Sequence, residues 1–291
     1  MVLPGTLNFG DGLLKGMAFC LLMAAAALLL YIGLEGMTHE RSGPLVSPED
    51  ITRSDVLLDV SEGAESYIPG AVHIGYTDLQ CNDSILKPPE EIAAILGSAG
   101  ISETDSVVIY GECKPCGGSG VTIHPSTLTY FALRSLGHSH VWVLDGGLNA
   151  WVESGRPISK SPSQRAPTVY TPSPAYNLQA TTDYIRENQD QLVDARTAAE
   201  FKVSTIPGAV NIPADGVVLG GRLRDDAELE EIFSDLRRDM PVVVFTSTGV
   251  KASAVWFALE KVGYDARLFA LDKWAKAGQP LVKPPANSSL A

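Results

Sequence analysis

The chain has 291 residues with 22 basic and 34 acidic side chains, a formal charge of −12, and that surplus of negative charge excludes a protein that grips nucleic-acid phosphates. Hydrophobic residues at 45% and charged residues at 19% exclude a disordered or fibrous chain, and the length suits two domains of roughly 150 residues. Four cysteines are too few for a disulfide scaffold, so any disulfide would be local.

In chain order, the first signal is apolar. Gly16 to Leu34 is a run of 19 residues without a charge, close to the roughly 20 that span a hydrocarbon core, and reads as a membrane helix. A cleaved signal peptide is the rival reading, but its apolar region is usually about 7 to 15 residues, and Tyr31 to Gly36 offers no small-x-small cleavage pair. Lys15 precedes the run while Glu35, Glu40 and Arg41 follow it, so the positive-inside rule points to a single-pass anchor with an extracytoplasmic globular part. Cys20 reads as one more apolar residue of the run. Residues 1–42 are therefore expected to be anchor and spacer.

The remainder repeats itself. Ile-Pro-Gly-Ala-Val occurs at 68–72 and at 206–210, each time after an acidic strand end, Leu58-Asp59-Val60 and Val193-Asp194-Ala195. Val107 to Tyr110 matches Val242 to Phe245, Tyr130 to Leu133 matches Trp256 to Leu259, and Trp151-x3-Gly155-x-Pro157 matches Trp274-x3-Gly278-x-Pro280. The offsets fall from 138 to 135, 126 and 123. The drop of nine between the second and third places an enlarged loop in the first copy, between the apolar strand and the following helix.

Strands are predicted near 56–60, 71–74, 106–110 and 141–145 with a helix near 126–136. The second copy has strands near 192–195, 209–212, 241–246 and 266–270 with helices near 228–238 and 251–262. Apolar strands alternating with helices imply an α/β fold in which each copy is a mainly parallel sheet flanked by helices, with chemistry at the carboxyl ends of the strands. The expected boundaries are domain 1 at 43–158, a Pro- and Ser-rich linker at 159–175 that crosses the surface, domain 2 at 176–285, and a tail at 286–291. The domains are expected to face one another across a groove. Trp142, Trp151, Trp256 and Trp274 are read as core or domain-contact residues, and His124, His138 and His140 as loop or surface residues.

This layout resembles the tandem-domain rhodaneses, or thiosulfate sulfurtransferases, over about residues 45–283. In the second copy the resemblance rests on Asp194-Ala195-Arg196 with Glu200, on Ile206 to Ala209, on the strand leading into Thr246 to Ser253, and on Trp274 and Pro280. It implies a loop of the form Cys-x-x-Gly-x-Arg or Lys after that strand. Backbone N–H groups and the helix amino terminus there would lower a thiol pKa, and the thiolate would take sulfane sulfur from thiosulfate, release sulfite and pass the sulfur to a thiol acceptor.

Counting back from Gly249 puts Thr246 where that cysteine would be. A threonine hydroxyl cannot form a persulfide, and no base to activate it is evident. Thr246, Ser247, Thr248, Gly249, Val250 and Lys251 are thus expected to form an anion cradle without a nucleophile. Asp194 and Arg196 read as a structural ion pair, with Glu200 reaching back to local backbone or to Arg196. In the first copy the matching residues are Asp59 and Ser61, so the arginine brace is absent there.

The enlarged first-copy loop brings in Cys113 and Cys116. Three readings compete: a sulfur-handling or redox pair, favoured by Lys114 and the following helix; an inert local disulfide; and a zinc site completed by two of Cys81, His73 and His124, for which no second spacing motif exists. A persulfide on one thiol would lie within reach of the other, which could attack the inner sulfur and expel hydrosulfide. Two functions follow. One is a membrane-anchored sulfurtransferase with its chemistry at Cys113 and Cys116, a small sulfur anion and a thiol acceptor as partners, and no cofactor or metal. The other is an inactive module that binds an oxyanion or a partner protein.

Overall fold

The computed structural model describes residues 41, 43–81, 85–112, 123–174 and 177–285. The membrane run at 16–34, the two thiols at 113 and 116 and the tail lie outside the described residues. Among the described residues no helix is long and apolar enough to cross a membrane.

The first repeat is a five-stranded parallel sheet. Its strands are β1 (Leu45–Val46), β2 (Asp55–Asp59), β3 (Val72–His73), β4 (Ser106–Tyr110) and β5 (Val141–Leu144), in the order β1-β5-β4-β2-β3. The central β4 is buried from Val107 to Tyr110, which its unbroken apolar run requires once helices cover both faces. Three helices flank the sheet: α1 (Pro89–Ser98), α2 (His124–Ser135) and α3 (Gly147–Glu153). The Pro88-Pro89 pair starts α1. Pro89 occupies its first turn, followed by Glu90 and Glu91, where a fixed φ and acidic charge both favour helix initiation.

The second repeat has β6 (Gln191–Asp194), β7 (Val210–Asn211), β10 (Val242–Thr246) and β11 (Ala266–Ala270) in the parallel order β11-β10-β6-β7, and a separate antiparallel hairpin of β8 (Val218–Leu219) and β9 (Arg222–Leu223). The outer fifth strand is reduced to one bridge, Gln179 to Leu268. Its helices are α4 (Thr182–Glu187), α5 (Ala198–Val203), α6 (Asp226–Ile232), α7 (Ala252–Lys261) and α8 (Leu271–Lys276). Capping boxes start α5, through Thr197 and Glu200, and α6, through Asp225 and Glu228, each satisfying two backbone donors that the first turn would leave open.

The sequence repeats have physical counterparts. In both Ile-Pro-Gly-Ala turns the isoleucine is fully buried, the glycine has φ near +84° to +89°, and the alanine amide closes onto the isoleucine carbonyl at 3.0 and 3.1 Å. In both tryptophan motifs the indole N–H donates to the proline carbonyl six residues on, Trp151 to Pro157 at 2.7 Å and Trp274 to Pro280 at 2.9 Å.

The repeats pack through α2 and α7, matching positions meeting at Thr127 with Ser253 and at Arg134 with Glu260, and the aromatic pairs between them crossing. Thr127 and Ser253 share a hydrogen bond of 2.8 Å. Tyr130 stands edge-on to Phe257 and Phe131 edge-on to Trp256, each at 4.9 Å between ring centroids, and Arg134 lies 3.7 Å from Glu260. Residues of both repeats belong to one continuous apolar core.

The linker is docked rather than loose. Thr168 donates to Gly97, Ser173 to Leu136 and Ser163 to Ala71 through backbone N–H groups, and Arg165 reaches the Gly100 carbonyl at 2.8 Å. A Cβ on Gly97 would stand 2.6 Å from the Thr168 carbonyl oxygen, and one on Gly137 would stand 2.1 Å from that of Ser173. Those glycines leave the room in which the strap lies.

Candidate functional site

The second repeat's loop springs from the carboxyl end of β10. Thr246 ends that strand almost fully buried, and its hydroxyl accepts the Gly249 N–H at 3.1 Å. Gly249 takes φ +84°, and a side chain there would run into Ile85 of the first repeat at 2.7 Å. The Asp272 amide holds the Ser247 carbonyl at 3.1 Å. Helix α7 begins at Ala252, directly after Lys251. Thr246 to Lys251 thus form a tight turn that runs straight into α7, with the amides of Gly249, Ser253 and Ala254 bonded inside it.

A cavity of about 430 Å³ opens at this loop. Its wall carries Thr246, Ser247, Thr248, Val250 and Lys251, Arg196, Glu200 and Asp215 of the same repeat, and Tyr76 and His124 of the first repeat. The predicted ion pair is present. Asp194, fully buried, is held by Arg196 Nε at 3.0 Å and Nη2 at 2.6 Å and by the Thr205 hydroxyl at 2.8 Å. Arg196 also donates to the Ser204 carbonyl at 2.6 Å, so its guanidinium is engaged in bracing the strand end.

Glu200 is engaged with Thr197, whose hydroxyl donates to it at 2.6 Å. That hydrogen bond, with smaller help from Arg196 and Lys251, holds its carboxyl below the usual carboxylate range. Burial pushes the Asp215 carboxyl up, against the pull of Lys251. The Lys251 charge is therefore opposed by two carboxylates, and the cavity is more nearly neutral than the sequence suggests.

Tyr76 and His124 come from the other repeat, and no spacing in the sequence brings them to this cavity, although His124 is a candidate ligand in the zinc reading. His124, read from the sequence as loop or surface, is buried at the start of α2 and meets the Tyr76 ring edge-on at 6.0 Å. His138 is also buried, bonded to the Tyr170 hydroxyl at 3.0 Å and the Asp105 carbonyl at 2.9 Å, whereas His140 is exposed. Cys81 is an exposed free thiol on a neighbouring cleft with Thr248, Val250, Lys273 and Lys276. Among the described residues no group of His, Cys, Asp and Glu is placed to hold a metal.

At the matching place in the first repeat, Gly111 follows β4 as Thr246 follows Phe245 in β10: Tyr110 pairs with Asp59 as Phe245 pairs with Asp194. The start of the enlarged loop is anchored, the Ser126 hydroxyl donating to the Gly111 carbonyl at 3.2 Å and the Glu112 amide to the Ser61 hydroxyl at 3.0 Å. A cavity of about 500 Å³ adjoins it, lined by Gly111, Glu112, Asn149 and Glu153, and by Arg222 from the second repeat's hairpin. Arg222 bridges to Asp145 at 3.0 Å and Glu153 at 3.3 Å.

The family model for the rhodanese-like domain matches twice, at residues 48–154 and 177–275. The chain belongs to the rhodanese-like family. Among curated proteins, this rhodanese-like chain is 28% identical over 237 residues to putative thiosulfate sulfurtransferase 1 of Mycobacterium bovis, covering 71% of this chain and 82% of that protein. It is 27% identical over 246 residues to the thiosulfate sulfurtransferase of Corynebacterium glutamicum, covering 75% and 79%. Among solved structures, the 3-mercaptopyruvate sulfotransferase SseA of Escherichia coli superposes with a TM-score of 0.67 at 22% identity, over 78% of this chain and 97% of that one. EanB in complex with ergothioneine reaches 0.74 at 20% identity, over 84% and 71%. Both structural likenesses establish the two-repeat rhodanese-like fold.

Proposed function

We propose that the protein is a sulfurtransferase that handles sulfane sulfur from thiosulfate or a persulfide, with its chemistry at Cys113 and Cys116. Thr246 stands at the nucleophile position of the second repeat and leaves that loop as an anion cradle. The observation that carries the reading is the equivalence of Gly111 and Thr246: the loop bearing both thiols leaves the first sheet at the register where the cradle leaves the second. The thiosulfate sulfurtransferases to which the chain is similar supply the substrate class.

In the proposed reaction one thiolate attacks the outer sulfur of thiosulfate. The S–S bond breaks, sulfite leaves with its electron pair, and a persulfide forms on the protein. The second thiolate then attacks the inner sulfur, a Cys113–Cys116 disulfide forms, and the sulfane sulfur leaves reduced as hydrosulfide. An external dithiol restores the pair. The uncharged run at 16–34 would tether this domain pair to a membrane with the globular part outside the cytoplasm.

The test is persulfide-specific labelling of the protein after thiosulfate treatment, followed by peptide mapping, in the wild type and in Cys113→Ser and Cys116→Ser. The variant that keeps the capturing thiol should accumulate a persulfide, the other should carry none, and hydrosulfide release should need both. Absence of label on either thiol in the reduced protein overturns the proposal. It would favour the second reading, a binding module for an oxyanion or partner protein, which the wall of the 430 Å³ cavity, free of thiols among the described residues, supports.

A further inference from the structure

The wall of the cavity at Thr246 carries hydrogen-bond donors on one segment and acceptors on others. With the Gly249, Ser253 and Ala254 amides bonded inside the turn, recognition of a ligand there falls to side chains. The donors stand along the turn: the hydroxyls of Thr246, Ser247 and Thr248 and the ammonium of Lys251. Thr246 is 6% exposed. Its oxygen accepts the Gly249 N–H, and its own proton meets no acceptor among the described residues. A buried hydroxyl proton so placed is costly until a ligand or water takes it.

The acceptors come from other elements. Glu200, in the first turn of α5, takes the Thr197 hydroxyl and amide on Oε2, and its Oε1 has no hydrogen bond among the described residues. Asp215 lies in the turn Ala214–Val217 that leads to β8. Burial pushes its carboxyl up against the pull of Lys251, as happens to a carboxylate short of a counter-charge.

The charges decide what such a wall accepts. Arg196 is paired with Asp194, and Lys251 acts on both Glu200 and Asp215. Among the described residues, three carboxylates therefore oppose two cations at this cavity. A dianion such as thiosulfate meets a net negative site, whereas a molecule with one ammonium and one carboxylate finds a partner for each. Tyr76 and His124, edge-on at 6.0 Å, add an aromatic side to a volume of about 430 Å³, which suits a small organic molecule.

We propose that this cavity binds a zwitterion of the α-amino acid type, with its carboxylate on Lys251 and the hydroxyls of Thr246 to Thr248, its ammonium on Asp215 and Glu200, and its side chain toward Tyr76 and His124. The proposal deepens the reading of the turn as an anion cradle, since the anion it takes is a carboxylate, and stands apart from the sulfur chemistry at Cys113 and Cys116.

Isothermal titration calorimetry on the reduced full-length protein tests this with L-methionine, L-phenylalanine and L-glutamine, each beside its analogue without the ammonium and its analogue with the carboxylate amidated. At least one amino acid should bind at millimolar concentration, and loss of either charge should weaken it about tenfold or more, the worth of one charge-assisted hydrogen bond. Asp215→Asn should narrow the preference over the ammonium-free analogue and leave the preference over the amide; Lys251→Gln should do the reverse. Binding of none of the three, equal binding of the charge-deleted analogues, an unchanged preference in Asp215→Asn, or displacement by thiosulfate at equal concentration overturns the proposal. The series on the wild type needs no variant to fold. None of the probes carries sulfane sulfur, so thiols that never form a persulfide would sink the proposed reaction and leave this result untouched, and a cavity that binds no amino acid would leave the persulfide test untouched.

Discussion

Replacing Thr246 with cysteine puts a thiol into the turn that leads from β10 into α7. The Gly249 N–H that now reaches the threonine oxygen at 3.1 Å would meet a sulfur at the same spot. A hydrogen bond to a charged acceptor contributes about 1.5–3 kcal/mol, and the nearby start of α7 adds about 0.3–1 kcal/mol in favour of an anion. At 1.36 kcal/mol per pKa unit, the two together would lower an ordinary thiol from about 8.5 by roughly 1.5–3 units. Burial of position 246 works against ionisation, and Glu200 and Asp215 oppose Lys251, so the lower end of that range is the expected outcome, an apparent pKa near about 7. Alkylation of the introduced thiol by iodoacetamide as a function of pH, followed on its own peptide to separate it from Cys81, Cys113 and Cys116, measures this directly. The variant should also form a persulfide at 246 with thiosulfate. A midpoint at or above about 8.5 in a folded variant would show that the loop does not concentrate its donors on that atom.

Two further outcomes are expected. His138 is held neutral by burial against the docked linker, its pKa below the usual imidazole range; its stabilising effect should be complete above about pH 6.5 and lost progressively as the pH falls, because the unfolded chain takes up the proton first. Melting temperature between pH 7.5 and 5 should fall less steeply in His138→Gln, and an identical slope would refute the linkage. Trp256→Ala empties the centre of the α2–α7 contact and should cost about 3–5 kcal/mol, a fall of roughly 10 °C in a domain pair of this size. Calorimetry should show one transition for wild type and variant, and two separated transitions, with the first repeat unaffected, would contradict a shared core.

What could be read in the sequence was whatever chemistry repeats along the chain. The paired Ile-Pro-Gly-Ala turns, the apolar runs of β4 and β10 and the falling offset located both sheets and the enlarged loop, because each depends on local composition and on counting. What could not be read depends on register between strands or on contact between repeats. His73 lies 14 residues from Asp59 and meets it only through the pairing of β2 with β3, so a brace that looks lost at Ser61 has been rebuilt from a neighbouring strand. Tyr76 and His124 reach the cavity of the other repeat, and no spacing in one chain announces that. The linker composition signalled irregular backbone correctly but gave no hint of docking, since the room for it is made by Gly97, Gly100 and Gly137, remote in sequence.

That docking shortens the leash between the two halves. Among the described residues, the last backbone tie of the strap to the first repeat is Ser173 to Leu136, and the first tie onto the second sheet is the Leu178 carbonyl, which accepts from Leu268. Only five peptide steps separate those residues, and at about 3.3–3.6 Å each they reach at most roughly 18 Å. Two bodies so tethered re-encounter one another as though at very high concentration. If the α2–α7 contact opens, the halves stay within that reach of one another, which favours rebuilding the cavity that draws its wall from both repeats out of the same pair of surfaces.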